Sequence, residues 1–410
     1  MSSPAIPTGF DPTDPDIYIE GVPHGEFLEL RETAPVFWVE QPEESRAGQL
    51  GGTGYWAVSK HADVSAVSKN NNDFSTYENG AIIRFAPDMT REQVEAQRVM
   101  LINHDVPEHT KLRQIISRGF TPRSIGALEE HLAERAERII KDAVERGSGN
   151  FVEDVAAELP LQAIADLLGV PQEDRKKLFA WSNEMLGYDD PEYSVDPEAA
   201  SVEILTYAMA MAEDRKANPR DDIVTKLIQA DVGGQALSAD EFGYFVILLT
   251  VAGNETTRNA ITHGMNAFFE NPEQWDLFKD RRPDSAVDEV IRWATPVTVF
   301  QRTALNDVEV GGVQVSKGQR VGLFYASANH DTDVFTDPHT FDILRDPNPH
   351  LSFGGHGAHY CIGANLARLE VRLILNALAD HAPSISKAGE PRRLRSGWIN
   401  GIKELEVNYK

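Results

Sequence analysis

Apolar and polar residues recur with two different periods along this chain, and the places where the period changes outline its organisation. Pro35-Val-Phe-Trp-Val39 and Tyr55-Trp-Ala-Val58 are short runs rich in β-branched and aromatic residues with a Gly-rich stretch between them, and they read as paired strands. From about Glu92 to Leu305 the apolar residues return at helical spacing, as in Ser124–Arg146, Pro160–Leu168, Asp221–Ala230 and Ser238 to about Glu270. A second β region follows: Val308-Glu-Val310, a Gly311-Gly312 turn, Val313-Gln-Val315, then Arg320 to Phe324. A Gly-rich loop over Ser352–Gly363 leads into a helix reaching Asp380 and a β-like tail at Leu405-Glu-Val407. No repeat, low-complexity segment or linker divides these parts. The pattern predicts a mainly α fold with small β-sheets, one domain over residues 16–410, preceded by a flexible arm over residues 1–15 that is rich in Pro, Ser and Asp.

Composition narrows the function classes. The net charge of −25 over 410 residues argues against nucleic acid, whose binding rests on Lys and Arg neutralising phosphates. No run of about 18 apolar residues is present, so no membrane span is expected. The N-terminus shows no basic segment followed by an apolar one, so secretion is not expected and a cytoplasmic location is. With Cys361 alone, an intramolecular disulfide, a Cys-rich zinc site and an iron–sulfur site are all excluded. Any sulfur ligand must be Cys361.

That cysteine lies in Phe353-Gly-Gly-His-Gly-Ala-His-Tyr-Cys361-Ile-Gly-Ala-Asn-Leu-Ala-Arg368. The glycines let backbone approach something flat and bulky. Ile362, Leu366, Leu369, Leu373 and Ala377 then recur at helical spacing, which predicts that Cys361 sits at a helix start, where free N–H groups favour thiolate. A lone cysteine at a helix end is by itself more often a small buried hydrophobe. The Gly-rich approach and His359 two residues earlier weigh against that reading.

Upstream, Ser238-Ala-Asp-Glu241 fits a capping box and opens a helix of about 50 Å. Its middle reads Ala252-Gly-Asn-Glu-Thr-Thr257. Gly253 costs roughly 1 kcal/mol against Ala, so something should compensate, and the Thr256 hydroxyl can bond the carbonyl four residues back. Taken alone, this is a polar stripe facing water. Glu289 and Arg292 are three apart on another helical segment, which by itself is an exposed pair worth about 0–1 kcal/mol.

Together these segments resemble the cytochrome P450 family of haem-thiolate monooxygenases. Gly357, His359, Cys361 and Gly363 match the family's cysteine loop, whereas Phe353 falls one residue earlier than the usual spacing. The resemblance implies the cytochrome P450 fold and haem b ligated through the Cys361 thiolate, with Ala252, Gly253 and Phe353 beside it. Thr256 and Glu255 would carry protons to dioxygen. His109 and Arg113 in Pro107-Glu-His109-Thr-Lys-Leu-Arg113, with Arg302 and His359, match positions that hold haem propionates. Glu289 and Arg292 would be buried and completed by Arg345 from Asp337–Arg345. Electrons would come from a ferredoxin fed by a reductase, since no flavin or nicotinamide motif is present. Lys111, Arg118, Arg123 and Arg368 are candidates for its basic docking patch.

From about Pro7 onward the chain is similar to the actinobacterial steroid C26-monooxygenases, which oxidise the side-chain terminus of cholesterol and cholest-4-en-3-one. Tyr77–Phe85, Trp181–Met185, Asp189–Tyr193 and Leu394–Lys403 carry this likeness. By position, Ile82, Phe85, Met185, Val251 and Trp398 would line an apolar channel suited to a long apolar ligand. The same five residues read equally well as ordinary core. Three alternatives stand beside the steroid reading: the same chemistry on a branched fatty acid or terpenoid, a peroxide-driven enzyme, and a non-catalytic haem-binding or sensor protein. The last two would be expected to lack the Glu255–Thr256 pair.

Overall fold

The five strands that matter for the site come from opposite ends of the chain. β1 (Val36–Glu40) and β2 (Gly54–Val58) pair antiparallel with Trp38 opposite Trp56. β3 (Phe74–Ser75), β4 (Val299–Ala304) and β5 (Arg320–Phe324) complete one sheet in the order β1-β2-β5-β4-β3. The β2–β5 pair is parallel, Trp56 facing Val321, and the others are antiparallel. Arg320 is fully buried at this junction and donates to Gln41 Oε1 (2.6 Å) and to the carbonyls of Ile83 (3.2 Å) and Gly54 (3.3 Å). Both terminal nitrogens of this buried guanidinium are bonded while its Nε has no partner among the described residues, and it ties β1, β2 and the segment after β3 together. The computed structural model describes residues 7, 9–47, 50, 52–87, 89–193, 196–220, 222–229 and 237–410.

The helical body is organised around Ala239–Glu270. Both bonds of its capping box form, Glu241 N to Ser238 Oγ (3.1 Å) and Ser238 N to Glu241 Oε2 (2.7 Å). Phe242 to Phe268 is buried for most of its length against helices Glu158–Leu168, Arg175–Leu186, Pro197–Ala217, Ser285–Ala294 and Ala364–His381. A helix covered on every side belongs inside a large core.

Element boundaries differ from the pattern where local caps intervene. The expected Ser124–Arg146 helix is two, Pro122–Gly126 capped by Thr121 and Glu129–Arg146. Pro160–Leu168 begins earlier, at Glu158. The helix expected over Asp221–Ala230 spans Ile223–Ile228, because the Asp222 side chain accepts from Thr225 N and fixes the start; Asp221 and Ala230 lie outside the described residues. No helix among the described residues is long and apolar enough to cross a membrane.

Much of the expected N-terminal arm is packed instead of loose. Asp11 and Thr13 are buried, Tyr55 donates to Asp11 Oδ1 (2.8 Å) and Tyr18 to the Pro12 carbonyl (2.8 Å). Polar side chains that cap and close these turns hold the segment together with the buried Phe10. A distant stretch clasps it: Arg393 Nε donates to Tyr18 O (2.9 Å) and Arg395 Nε to Asp16 Oδ1 (2.5 Å). Gly397 lies so close that a Cβ there would sit 2.0 Å from the Thr13 carbonyl oxygen. Residues 1–6 and 8 of the arm lie outside the described residues.

Candidate active site

The cysteine loop is fixed before the helix begins. Its helix runs Ala364–His381 with Gly363 as N-cap, so Cys361 lies two residues ahead of the cap and not at the helix start. Cys361 N donates to the Phe353 carbonyl (2.9 Å), closing the loop on itself. At Gly357 any side chain would overlap the Ser68 carbonyl oxygen, 1.8 Å from an ideal Cβ, so the loop is pressed onto helix His61–Lys69. The displacement from the helix matters for the thiol. Burial pushes its pKa up, more than the Gly363 N–H, Arg113 and Arg368 pull it down. Helix-end stabilisation of a free thiolate is therefore not what this geometry provides; a bound metal cation would have to draw the proton off. Cys361 is surrounded by protein at longer range, yet its own surface is exposed. It lines an interior space instead of packing as a buried hydrophobe.

Cationic and imidazole groups gather nearby from three distant segments. His109 and Arg113 stand on helix Glu108–Ile116, Arg302 on β4 and His359 in the cysteine loop. The rings of His109 and His359 are 4.3 Å apart, and Arg113 donates to the Tyr360 carbonyl (2.6 Å). Burial, then the neighbouring guanidinium of Arg113, lowers His109 to about 4. Burial, then Arg302, holds His359 well below its ordinary value, and burial lowers Arg302 itself. The carboxylate felt by this group, Asp105, is already bonded by Ser75 Oγ and by Thr76 N (2.8 Å). His109 Nδ1 is buried without a partner. A crowded set of donors short of negative charge fits a ligand bearing carboxylates, and with the cysteine it fits haem.

On the long helix, Thr256 Oγ1 donates to the Ala252 carbonyl (2.7 Å), the bond its spacing allows. Ala252 is exposed mid-helix while Asn254 and Glu255 are buried. Gly253 is turned elsewhere: an added Cβ would meet Ile164 at 2.7 Å, and this close helix approach offsets its propensity cost. Glu255 is ion-paired with Arg258, whose NH1 also donates to Asn183 Oδ1 (3.1 Å). Burial raises the Glu255 carboxyl while Arg258 opposes the rise. Sequence reasoning missed Arg258, although Glu255-x-x-Arg258 repeats the spacing of Glu289-x-x-Arg292. It also missed Thr76, whose hydroxyl lies 3.3 Å from His359 Nε2.

Glu289 and Arg292 are wholly buried and joined in a fork, Nε to Oε2 and NH2 to Oε1, each 2.8 Å. Arg345 Nε reaches Glu289 Oε2 (3.1 Å), and Asn348 Nδ2 the same oxygen (3.0 Å). Arg292 NH1 donates to the Asn329 and Pro338 carbonyls (2.8 and 3.0 Å). The isolated reading as an exposed pair is excluded.

Of the five apolar candidates, the structure brings three together. Ile82 and Val251 pack on a buried cluster containing Trp398 and Leu186. Phe85 sits in a separate small cluster that meets the first through Ile82, and Met185 packs against the main helical core. Phe300, unanticipated, borders the Trp398 cluster with its ring centroid 6.3 Å from that indole.

Comparison with known proteins adds four findings. A cytochrome P450 family model matches residues 284–381. The chain is 63% identical over 410 residues to a steroid C26-monooxygenase of Rhodococcus jostii, covering 100% of this chain and 87% of that protein. It is 42% identical over 401 residues to a methyl-branched lipid omega-hydroxylase of Mycobacterium tuberculosis, covering 95% of this chain and 92% of that one. Among solved structures, a Mycobacterium marinum cytochrome P450 in complex with pseudoionone superposes with a TM-score of 0.91 at 34% identity over 100% of both chains.

Proposed function

The chain belongs to the cytochrome P450 family, and from that premise we propose that it oxidises the terminal C26 methyl of the side chain of cholesterol or cholest-4-en-3-one, drawing electrons from a ferredoxin. The observation that carries the substrate is the 63% full-length identity to the Rhodococcus steroid C26-monooxygenase, against 42% to the methyl-branched lipid hydroxylase. Haem, bound through the Cys361 thiolate, supplies the activation of dioxygen, assisted by electron density from the sulfur.

The chain's own residues then have separable tasks. His109, Arg113, Arg302 and His359 would hold the propionates, whose negative charge would meet the two guanidinium groups. Ala252 and Phe353 would border the cofactor, Ala252 with a small side chain and Phe353 through a carbonyl that fixes the Cys361 N–H, whereas Gly253 packs toward Ile164. Thr256 keeps a hydroxyl on the helix surface, and Glu255, once parted from Arg258, takes up a proton from water and passes it on toward that hydroxyl. Glu289, Arg292 and Arg345 brace the loop between residues 329 and 348, immediately before the cysteine loop. Ile82, Val251 and Trp398 form the apolar wall for the sterol, with Phe85 and Met185 at its margins.

Docking of the ferredoxin rests on Lys111 and Arg123, which are exposed. Arg368 is committed to Asp288 (2.7 Å) and lies over the Phe353 ring, and the Arg118 side chain lies outside the description. The test is titration of the ferric protein with cholest-4-en-3-one and, separately, a long methyl-branched fatty acid, following haem absorbance. Saturable loss of the low-spin signal at lower steroid than fatty-acid concentration supports the proposal. The reverse order keeps the monooxygenase and transfers its substrate to the branched lipid.

A further inference from the structure

Three histidines, His24 and the sequence neighbours His330 and His339, converge outside the site described above. His24 opens helix His24–Thr33, His330 follows β5, and His339 lies in the loop that carries Arg345. Their ring centroids are 4.3 Å (His24–His330), 5.3 Å (His24–His339) and 5.2 Å (His330–His339) apart. One ring nitrogen of each lies within 4.8 Å of the other two. Three imidazoles are seldom packed together for stability alone, because each brings two polar nitrogens that need partners.

The partners here are incomplete in an informative way. His330 Nδ1 lies 3.1 Å from the Ala326 carbonyl, which assigns the proton to that nitrogen and leaves Nε2 with a lone pair. An outer carbonyl orienting a histidine in this manner is the usual support of a metal ligand. His24 Nδ1 is buried with no hydrogen-bond partner. His339 is exposed, which supplies an entry path and an open coordination position.

We propose that His24, His330 and His339 form a binding site for a divalent transition cation of the Zn2+ class. Neutral imidazole nitrogens suit zinc and its neighbours, whereas Mg2+ and Ca2+ require oxygen donors. Zinc–nitrogen bonds of about 2.0–2.1 Å bring tetrahedral ligand atoms to about 3.3 Å apart, so the rings must close in slightly. His339, on the surface, has the freedom to do so. Three cations act on the cluster: Arg292, which is ion-paired with Glu289, Arg393, which feels Glu270, and Arg31, which feels Asp331 and Glu32 without an ion pair to either. The site would staple the N-terminal helix to the loop that braces Glu289, far from substrate, and its effect is on stability.

The test uses untagged, haem-loaded protein titrated with Zn2+ by calorimetry, beside the His339→Ala and His24→Ala variants and with Mg2+ as control. One saturable zinc site per chain is expected in the parent, weakened at least tenfold in both variants, with haem content unchanged. Zinc should also raise the parent's thermal midpoint and not that of His339→Ala. Absence of saturable binding in the parent, or equal binding in parent and His339→Ala, overturns the site. Neither result depends on which substrate the enzyme oxidises.

Discussion

A hydroxyl that already donates to a carbonyl keeps its two lone pairs free, and this is the condition of Thr256. Its bond to the Ala252 carbonyl points the oxygen along the helix surface and holds it there. Replacing Thr256 by Ala removes the proton-handling group without touching binding, so dioxygen should still be consumed while hydrogen peroxide rises and hydroxylated product per NADPH falls. Fully coupled turnover in Thr256→Ala would remove Thr256 from the mechanism. A second residue-scale expectation concerns Arg302, buried beside His359, whose charged form it disfavours. Arg302→Gln should lower the haem retained per chain after gel filtration while far-UV circular dichroism stays unchanged; full retention would show that the other three groups suffice. The Thr256 bond was readable from local spacing alone. The Glu255–Arg258 pair used the same kind of spacing but was hidden, because nothing local says that both residues are buried, and only burial turns such a pair from trivial to strong.

Between elements, the clearest linkage joins the long helix to the cysteine helix. Glu370 on Ala364–His381 is buried, with Thr257 of the long helix as its side-chain partner, and burial pushes its carboxyl up to about 8. The native state therefore keeps a proton that the unfolded chain releases near pH 4.3. Its contribution to stability is full below that value, declines as pH rises toward 8, and is gone above it, at roughly 1.4 kcal/mol per pH unit in the window. Glu370→Gln stays neutral throughout, so its thermal midpoint should fall less between pH 5 and pH 8 than the parent's. Parallel curves for the two proteins would refute the assignment. The Glu289–Arg292 fork gives a sterner case. Arg292→Lys offers one ammonium where a planar fork met a carboxylate and two carbonyls, and breaking such a buried pair costs about 3–5 kcal/mol. Little soluble haem-loaded protein should be recovered, and a normal yield would show that the fork is dispensable. Element identity was largely readable from periodicity. The start of the cysteine helix was not, because Ile362 continues the apolar spacing through residues that the Gly363 cap excludes from the helix.

At the scale of the whole molecule, the proposed acidic ferredoxin would need a positive face on this acidic protein, and Lys111 and Arg123 are the residues proposed for it. Reduction by ferredoxin should slow as ionic strength rises, and Lys111→Glu with Arg123→Glu should cut the low-salt association rate roughly tenfold. A rate indifferent to salt would move the docking face elsewhere. Long-range pairing was the least readable property of the chain: β2 lies parallel to β5, Trp56 beside Val321, and periodicity carries no information about partners so distant. The cluster proposed to hold propionates, drawn from helix Glu108–Ile116, β4 and the cysteine loop, was accessible only through family likeness. The clasp between Asp11–Tyr18 and Arg393–Gly397 has a consequence in time. At a synthesis rate of about 5–20 residues per second, the first of these segments waits on the order of 20–80 seconds before its partner exists. During translation Tyr18, Asp11 and Thr13 therefore have no clasp to enter, and the nascent chain must be shielded until its final turns leave the ribosome.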